Sequence, residues 1–304
     1  MAGGKRDSPL KALVKSIKVS DRATTTPSLA LMKIVDDYCR SGRFDDYLRD
    51  HAADMARYAE RDTRPREGLF RASAAGKCQQ QQVFKIVQAR AIAAAKDAGV
   101  EPIALPEDRI LRPARQYRAL QNGTFGHIRW HMLFDALHEE KLVETLAAEQ
   151  TRYNEKYLVS GTIDRLIRFL FNGKSITAII DFKTINQRGY DKLIKPQDDH
   201  LKQQHVYDFF GWKADLWMML YEAKDQNEIK IFEANYSDIT RVRLQKMYID
   251  MRKWIEAFYD EAARISLPLQ TTYCKWCEFQ SACLEENPNL PTIQEKGGDD
   301  DWSE

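Results

Sequence analysis

Apolar and polar positions alternate most regularly over residues 157–184, which read YLVSGTIDRLIRFL, then FNGK, then SITAIIDFKT. Both flanks are rich in β-branched and aromatic residues. Asn172-Gly173 between them is the strongest short-range signal for a hairpin with a two-residue turn. Across such a turn the numbers of paired residues add to 345, which sets Asp164 opposite Asp181. The two share one face, with Cα atoms roughly 4.5–5.5 Å apart. Like charges directly opposite destabilise a sheet, so this pair demands compensation. Strand side chains alternate, so Lys183 shares the face of Asp181 while Phe182 points away. Two acids and a lysine so spaced suit a divalent cation bound by oxygen, with an ammonium beside it. A solvated face with a cross-strand ion pair has the same spacing. Ile163, Ile179 and Ile180 instead predict a partly buried strand, where unpaired acids are costly.

The remaining pattern is mostly helical. Ser28 is a candidate cap for a helix over residues 28–40 with Leu29, Met32, Ile34 and Val35 as its apolar stripe. Ser41-Gly42 breaks it, and a second helix is predicted to about residue 61. Ser73 is a candidate cap for a helix reaching about residue 98. Arg109, Arg112, Arg115 and Arg118 form a basic strip around Pro113, and a long helix is predicted over residues 119–150. Residues 186–199 read as a polar connection. A helix is predicted over 200–223, with Gln203, Tyr207, Phe210, Trp217 and Tyr221 on a recurring aromatic face. A strand over 228–235 and a helix over 238–265 complete the pattern, the latter with Val242, Met247, Ile249, Trp254 and Phe258 inward.

At 304 residues, 43% hydrophobic and 30% charged, the composition is that of a soluble globular protein. No apolar run reaches 18 residues and the N-terminus lacks the apolar region of a signal peptide. The expected location is therefore cytoplasmic, in a bacterial cell or in a host cell if a virus encodes the chain. The net charge of +1 conceals a basic arm over residues 1–27 and an acidic tail ending in DDDWSE. Arg61, Arg64, Arg66 and Arg71 cluster in a segment that suits either a solvated linker or a phosphate-contacting edge. Gly173-Lys174-Ser175 resembles the end of a phosphate-binding loop, but the earlier glycine is missing, so no ATP chemistry is expected.

Five cysteines in a reducing compartment point to metal ligation rather than disulfides. Cys274-x2-Cys277-x5-Cys283 is one ligand short of a closed zinc site or an iron–sulfur cluster, and Cys78 or Cys39 is available as the fourth. His127 and His131 share a helix face at i, i+4, but no third ligand is nearby in sequence.

Taken in order, these pieces resemble the PD-(D/E)XK nuclease superfamily, specifically its RecB-like, CRISPR-associated exonuclease group with an iron–sulfur cluster. The resemblance covers roughly residues 70–285. Ser73 to Cys78 is similar to the first cluster-ligand motif, and Gly123-x3-His127 to the helical Gly-x3-His. Gly161-Thr162-Ile163-Asp164 and Asp181-Phe182-Lys183 are similar to the two acidic strand motifs. Gln203-x3-Tyr207 is similar to the Gln-x3-Tyr helix, and Cys274, Cys277 and Cys283 to the terminal cysteine triplet.

The resemblance implies an α/β fold with a restriction-endonuclease-like core, a mixed central β-sheet flanked by helices. To this it adds N-terminal helices and an iron–sulfur staple. With the segments outside the resemblance read from their own residues, the expected division is a flexible basic arm (1–27), a helical extension (28–66), the nuclease core with its cluster (67–288) and an acidic disordered tail (289–304). It makes Cys78 the fourth ligand of a [4Fe–4S] cluster. Asp164, Asp181, the Phe182 carbonyl and His127 would hold Mn²⁺ or Mg²⁺, Lys183 would orient the attacking water, and Gln203 and Tyr207 would position Lys183 or the phosphate. Arg64, Arg66, Arg71, Lys77, Arg112 and Arg115 are the candidate DNA contacts. Gln79 to Gln82 depart from the family's basic residues after Cys78, leaving Lys77 and Lys85 to meet phosphate there. The implied activity is DNA exonuclease cleavage of ends or single strands in replication, recombination or repair. A helicase, recombinase or single-strand-binding protein is the implied partner, with no membrane and no ATP. Two rivals remain: a catalytically silent DNA-binding protein of this fold, and a zinc-stapled interaction protein.

Overall fold

The computed structural model describes residues 26–54, 68–100, 114–224, 226–258, 266–269, 274 and 277–286. The basic arm, the acidic tail, Arg64, Arg66 and Arg112, and the side chain of Arg115, lie outside the described residues.

Helices α1 (Pro27–Arg40) and α2 (Arg43–Asp50) precede β1 (Phe70–Arg71), α3 (Gln79–Ala98) and α4 (Ala114–Glu139). The chain continues through β2 (Glu144–Asn154), β3 (Val159–Phe171), β4 (Lys174–Ile185), the short α5 (Gln187–Asp191) and α6 (Asp198–Tyr207). It closes with β5 (Leu216–Ala223), β6 (Ile229–Glu233), α7 (Asp238–Glu256) and α8 (Gln280–Glu286). The six strands form one sheet in the order β1-β3-β4-β5-β6, with β2 also paired to β3. β1 with β3 and β4 with β5 are parallel and the other pairs antiparallel, so the sheet is mixed. Among the described residues no helix is long and apolar enough to cross a membrane.

Among the described residues the two larger of three apolar cores lie on opposite faces of this sheet. One joins Leu31, Ile34, Val35 and Tyr38 of α1 and Trp130, Phe134 and Leu137 of α4 to Ile180, Phe182, Met218 and Leu220 of the central strands. The other gathers Phe84 of α3, Val206 and Tyr207 of α6, and Tyr248, Met251 and Trp254 of α7 over Val159, Ile163 and Ile179. Each large apolar side chain so buried contributes about 1.5–3 kcal/mol. The N-terminal helices thus cover one face of the central sheet.

Several predicted elements change identity. Residues 144–150, predicted to prolong a helix, belong instead to β2, which pairs with β3 from Glu144↔Arg168 to Asn154↔Val159. Helix α4 stops because Lys141 turns left-handed (φ 58°), and the Leu142 amide then bonds back to the Leu137 carbonyl at 2.9 Å. The helix predicted over 200–223 ends at Tyr207, and after Gly211 the chain becomes β5, interior to the sheet and parallel to β4. A strand covered on both faces is a nearly continuous apolar run, which by itself cannot be told from a buried helix.

Caps differ as well. Thr26, not Ser28, caps α1 by accepting from the Leu29 amide (3.3 Å), while the Ser28 amide donates to Glu233 Oε1 (2.9 Å) and ties α1 to β6. Ser73 sits in a short 3₁₀ turn, and Cys78 stands at the N-cap of α3 without a side-chain capping bond. On α7, Val242 is exposed, and Leu244, Tyr248, Met251, Trp254 and Ile255 are the buried positions.

Candidate active site

The hairpin turn forms at Asn172 (φ 49°) and Gly173 (φ 77°), the two left-handed positions that an Asn-Gly reversal supplies cheaply. From it the β3–β4 ladder runs in constant register, Phe171↔Lys174 through Arg165↔Ile180. The next pair in that register is Asp164 and Asp181, and there the ladder stops. In place of a backbone partner the Phe182 amide donates to Asp164 Oδ2 at 2.7 Å. The carboxylate therefore satisfies a buried donor at the fork where the strands part.

Strand β3 changes face at the same place. Ile163 belongs to one core and Ile167, four residues on, to the other. Glu149 stands beside this irregularity on β2 in a left-handed conformation (φ 48°). Strict alternation holds on β4. Phe182 packs among Trp130, His131 and Phe134 of α4, while Lys183 Nζ lies 2.6 Å from Asp181 Oδ2 on the opposite face.

Helix α6 completes that face. Lys183 Nζ donates to Gln203 Oε1 (3.2 Å), and Gln203 Nε2 donates to Asp181 Oδ1 (3.4 Å) and to the Tyr207 hydroxyl. Tyr207 in turn donates to the Thr162 carbonyl (2.8 Å) and lies 3.3 Å from Asp181 Oδ1. Gln203 and Tyr207 are one helical turn apart, so a single α6 face presents both. Burial, offset by Lys183, holds the carboxyls of Asp164 and Asp181 above the usual carboxylate range. Burial alone would lower Lys183, but Asp181 and Asp164 outweigh it and hold the ammonium above its ordinary value. Two buried carboxylates thus face one ammonium, and the Tyr207 phenol keeps its proton, mainly because it is buried.

Helix α4 walls the other side. A Cβ at Gly126 would come within 2.9 Å of Thr184 Cγ2, so glycine there lets the helix approach the end of β4. His127, one residue on, places Nδ1 3.8 Å from Asp164 Oδ2. His131 does not join it. His131 Nε2 lies 2.6 Å from Glu149 Oε1, and its Nδ1 accepts from Arg165 Nε at 3.2 Å.

Three residues with evident chemistry are not marked by the sequence pattern. Arg165 is fully buried and ion-paired to Asp135 at 2.8 Å, and Glu149 adds negative charge near Asp164. His200 Nδ1 lies 2.7 Å from the Tyr221 hydroxyl. Burial and then Lys183 pull the His200 pKa down to about 4, so it is neutral at physiological pH. An arginine inside an apolar strand, directly after Asp164, was the available signal for the first of these.

Among the described residues no three His, Cys, Asp or Glu side chains converge as a ready-made metal group. The donors at the fork nonetheless suit a hard divalent ion that keeps several waters and uses one or two carboxylates. Asp181 Oδ2 is buried with no aligned hydrogen-bond donor, although the Lys183 ammonium is in contact with it. Such an oxygen has a lone pair to offer a cation.

Cys78 at the start of α3 lies near enough to Cys274 and Cys277 to influence their thiols, although no three of the cysteines converge among the described residues. Gln81 Nε2 donates to Glu278 Oε2 (3.1 Å) and Lys85 pairs with Glu278 (2.5 Å). Cys277 is pushed up to about 11, first by burial, with Cys78 and Cys274 among the lesser contributors. Cys39 is exposed, and its charged neighbours are Asp36, Arg129, Asp45 and Arg40. The glutamines after Cys78 have structural work: Gln80 and Gln82 are buried and Gln82 Nε2 donates to the Lys77 carbonyl (3.2 Å). Lys85, expected to meet phosphate, pairs with Glu278 instead. Of the remaining candidate DNA contacts, Arg71 and Lys77 are exposed, and Lys77 lies 3.8 Å from Asp199.

The chain matches no family model and no curated protein. Solved structures similar to it include that of SSO0001, at 18% identity and TM-score 0.40, covering 81% of this chain and 95% of that one. Also similar is the alkaline exonuclease LHK-Exo from Laribacter hongkongensis, at 14% identity and TM-score 0.42 over 66% of this chain and 96% of that one. The same exonuclease in complex with dAMP aligns at 16% identity and TM-score 0.44, with the same coverage.

Proposed function

We propose that this protein hydrolyses phosphodiester bonds of DNA with the help of a divalent cation, as an exonuclease acting on ends or single strands. The observation that carries the reading is the buried fork where Asp164 and Asp181 meet Lys183, itself held by Gln203. In this reading Asp164 and Asp181 hold Mn²⁺ or Mg²⁺, with the Phe182 carbonyl and His127 as further donors. The bound ion supplies Lewis acidity and lowers the pKa of water. Lys183 keeps its proton beside the carboxylates and directs it at the charge developing on the phosphate. Gln203 fixes the ammonium by accepting from it, and Tyr207 fixes Gln203 through the Thr162 carbonyl. Cutting of an end-labelled DNA strand in Mn²⁺, absent in EDTA, tests the proposal. A pure chain that binds DNA and leaves every form intact would favour the silent binding protein.

Cation binding has a separate readout in thermal stability. Mn²⁺ at about 100 times its Kd stabilises the folded state by about 2.7 kcal/mol, which raises Tm by about 5 °C. The rise is expected for the natural chain and absent in Asp181→Asn. Equal shifts in both would remove Asp181 from the cation site.

The cysteines belong to the same proposal. Cys78, Cys274, Cys277 and Cys283 hold a [4Fe–4S] cluster that staples α3 to the C-terminal segment and stabilises rather than reacts. Protein purified without oxygen should be brown, with broad visible absorption that Cys277→Ala removes. A colourless protein with stoichiometric zinc would establish a zinc staple instead.

A further inference from the structure

Between Lys183 and Gln203 the chain crosses beside the candidate site as a strap, residues 187–197, that is rigidly anchored yet carries an outward apolar tip. Its own Tyr190 and Leu193 are buried. Lys230 Nζ donates to the Tyr190 carbonyl (2.6 Å) and the Leu193 carbonyl (3.1 Å). On the far side the Gln197 amide donates to the Tyr221 hydroxyl (3.1 Å). Tyr221 is the register partner of Lys183 on the neighbouring strand. The strap is therefore fastened to the row of the sheet that carries the ammonium. Between these anchors Ile194 stands 87% exposed, more than any other large apolar side chain described.

A single exposed isoleucine is ordinary. Here the fastening on both sides means that the tip is held out rather than left loose, and its surroundings are cationic. Arg188, Lys192 and Lys195 are exposed on the strap. Its one carboxylate, Asp191, accepts from Gln187 Nε2 (2.8 Å), Lys195 lies 3.4 Å from Asp198 at the surface, and Glu228 adds one negative charge near Tyr190. Cations around a projecting aliphatic side chain complement a nucleic-acid end, where phosphates surround the apolar face of the last base pair.

Resting on the nuclease reading above, we propose that the strap grips a duplex end. Arg188 and Lys192 contact phosphates of the strand entering the site, and Ile194 wedges against the terminal base pair and unstacks it. The separated strand then passes toward Lys183. Base stacking is lost at the end while phosphate contacts hold the register, so the wedge and the cations have separable signatures.

The test uses the full-length protein in EDTA and a blunt duplex carrying 2-aminopurine at its terminal pair. Binding of the natural chain should raise the 2-aminopurine fluorescence. Ile194→Ala should lose at least about half of that rise, and Ile194→Leu should keep it. Arg188→Ala with Lys192→Ala should lower the slope of log affinity against log salt by about 2, one for each phosphate that the variant no longer neutralises. All these positions are at the surface, and circular dichroism would register any loss of fold. Unchanged slope and fluorescence in the variants of a chain that binds and cuts DNA would overturn the strap alone. A natural chain that binds no DNA would overturn the strap and the nuclease reading together.

Discussion

Lys183→Ala is expected to slow DNA cleavage in Mn²⁺ by about 10²–10³-fold in kcat, while affinity for DNA changes little. The magnitude is that of removing one preorganised donor aimed at charge developing in a transition state. Lys183 is suited to that task because its position is fixed from two sides, by Asp181 Oδ2 at 2.6 Å and Gln203 Oε1 at 3.2 Å. An arginine should not replace it, since a planar guanidinium cannot take the place of a point charge in a buried pocket. The substitution also leaves Asp181 buried without its counter-charge, a loss that reaches about 3–5 kcal/mol when one partner of a buried pair is removed. Cleavage and binding should therefore be compared at a temperature where circular dichroism shows the variant folded. Normal single-turnover cutting by Lys183→Ala would mean that the fork is not where the chemistry happens.

Arg165→Met is expected to destabilise the protein by about 3–5 kcal/mol. The side chain is fully buried, and one amino group meets both Asp135 (2.8 Å) and the His131 carbonyl (2.6 Å). Its Nε donates to His131 Nδ1, which leaves the His131 proton on Nε2, directed at Glu149 Oε1. Removing the guanidinium takes away the counter-charge that Asp135 faces and releases the histidine that helps hold Glu149 near Asp164. Urea denaturation should show a lower midpoint with an unchanged m-value. Asp135→Asn in the same chain should restore part of the loss, because the two positions are in direct contact and their effects are not additive. A cost under about 1 kcal/mol would mean that water compensates the network, contrary to its burial.

The two sites differ in how far they could be read from the chain. Asp164, Asp181 and Lys183 were placed by a two-residue turn and strand alternation, both local rules, and the observed register follows them as far as Arg165↔Ile180. Arg165 follows Asp164 directly, yet its partners come from α4 and β2, and no spacing rule connects those segments. The face switch between Ile163 and Ile167 likewise accompanies a register shift across the ladder, between Thr145 and Ala147 of β2, and alternation along β3 alone misses it.

The stripe expected on α1 is only half right, since Leu29 is exposed while Leu31 and Tyr38 are buried with Ile34 and Val35. The Asn172-Gly173 reversal and the acid–acid–lysine fork, by contrast, follow from the local order of residues. In each of these the deciding contacts lie within a turn or a strand pair joined by one. It took the folded chain to show that residues 144–154 and 216–223 are strands and that α6 sets Gln203 and Tyr207 against Asp181, a contact the motif resemblance implies but no local rule derives. Backbone pairing with a distant strand outweighs a local helical preference of a few tenths of a kcal/mol per residue, and nothing within the segment itself records which partner it will meet.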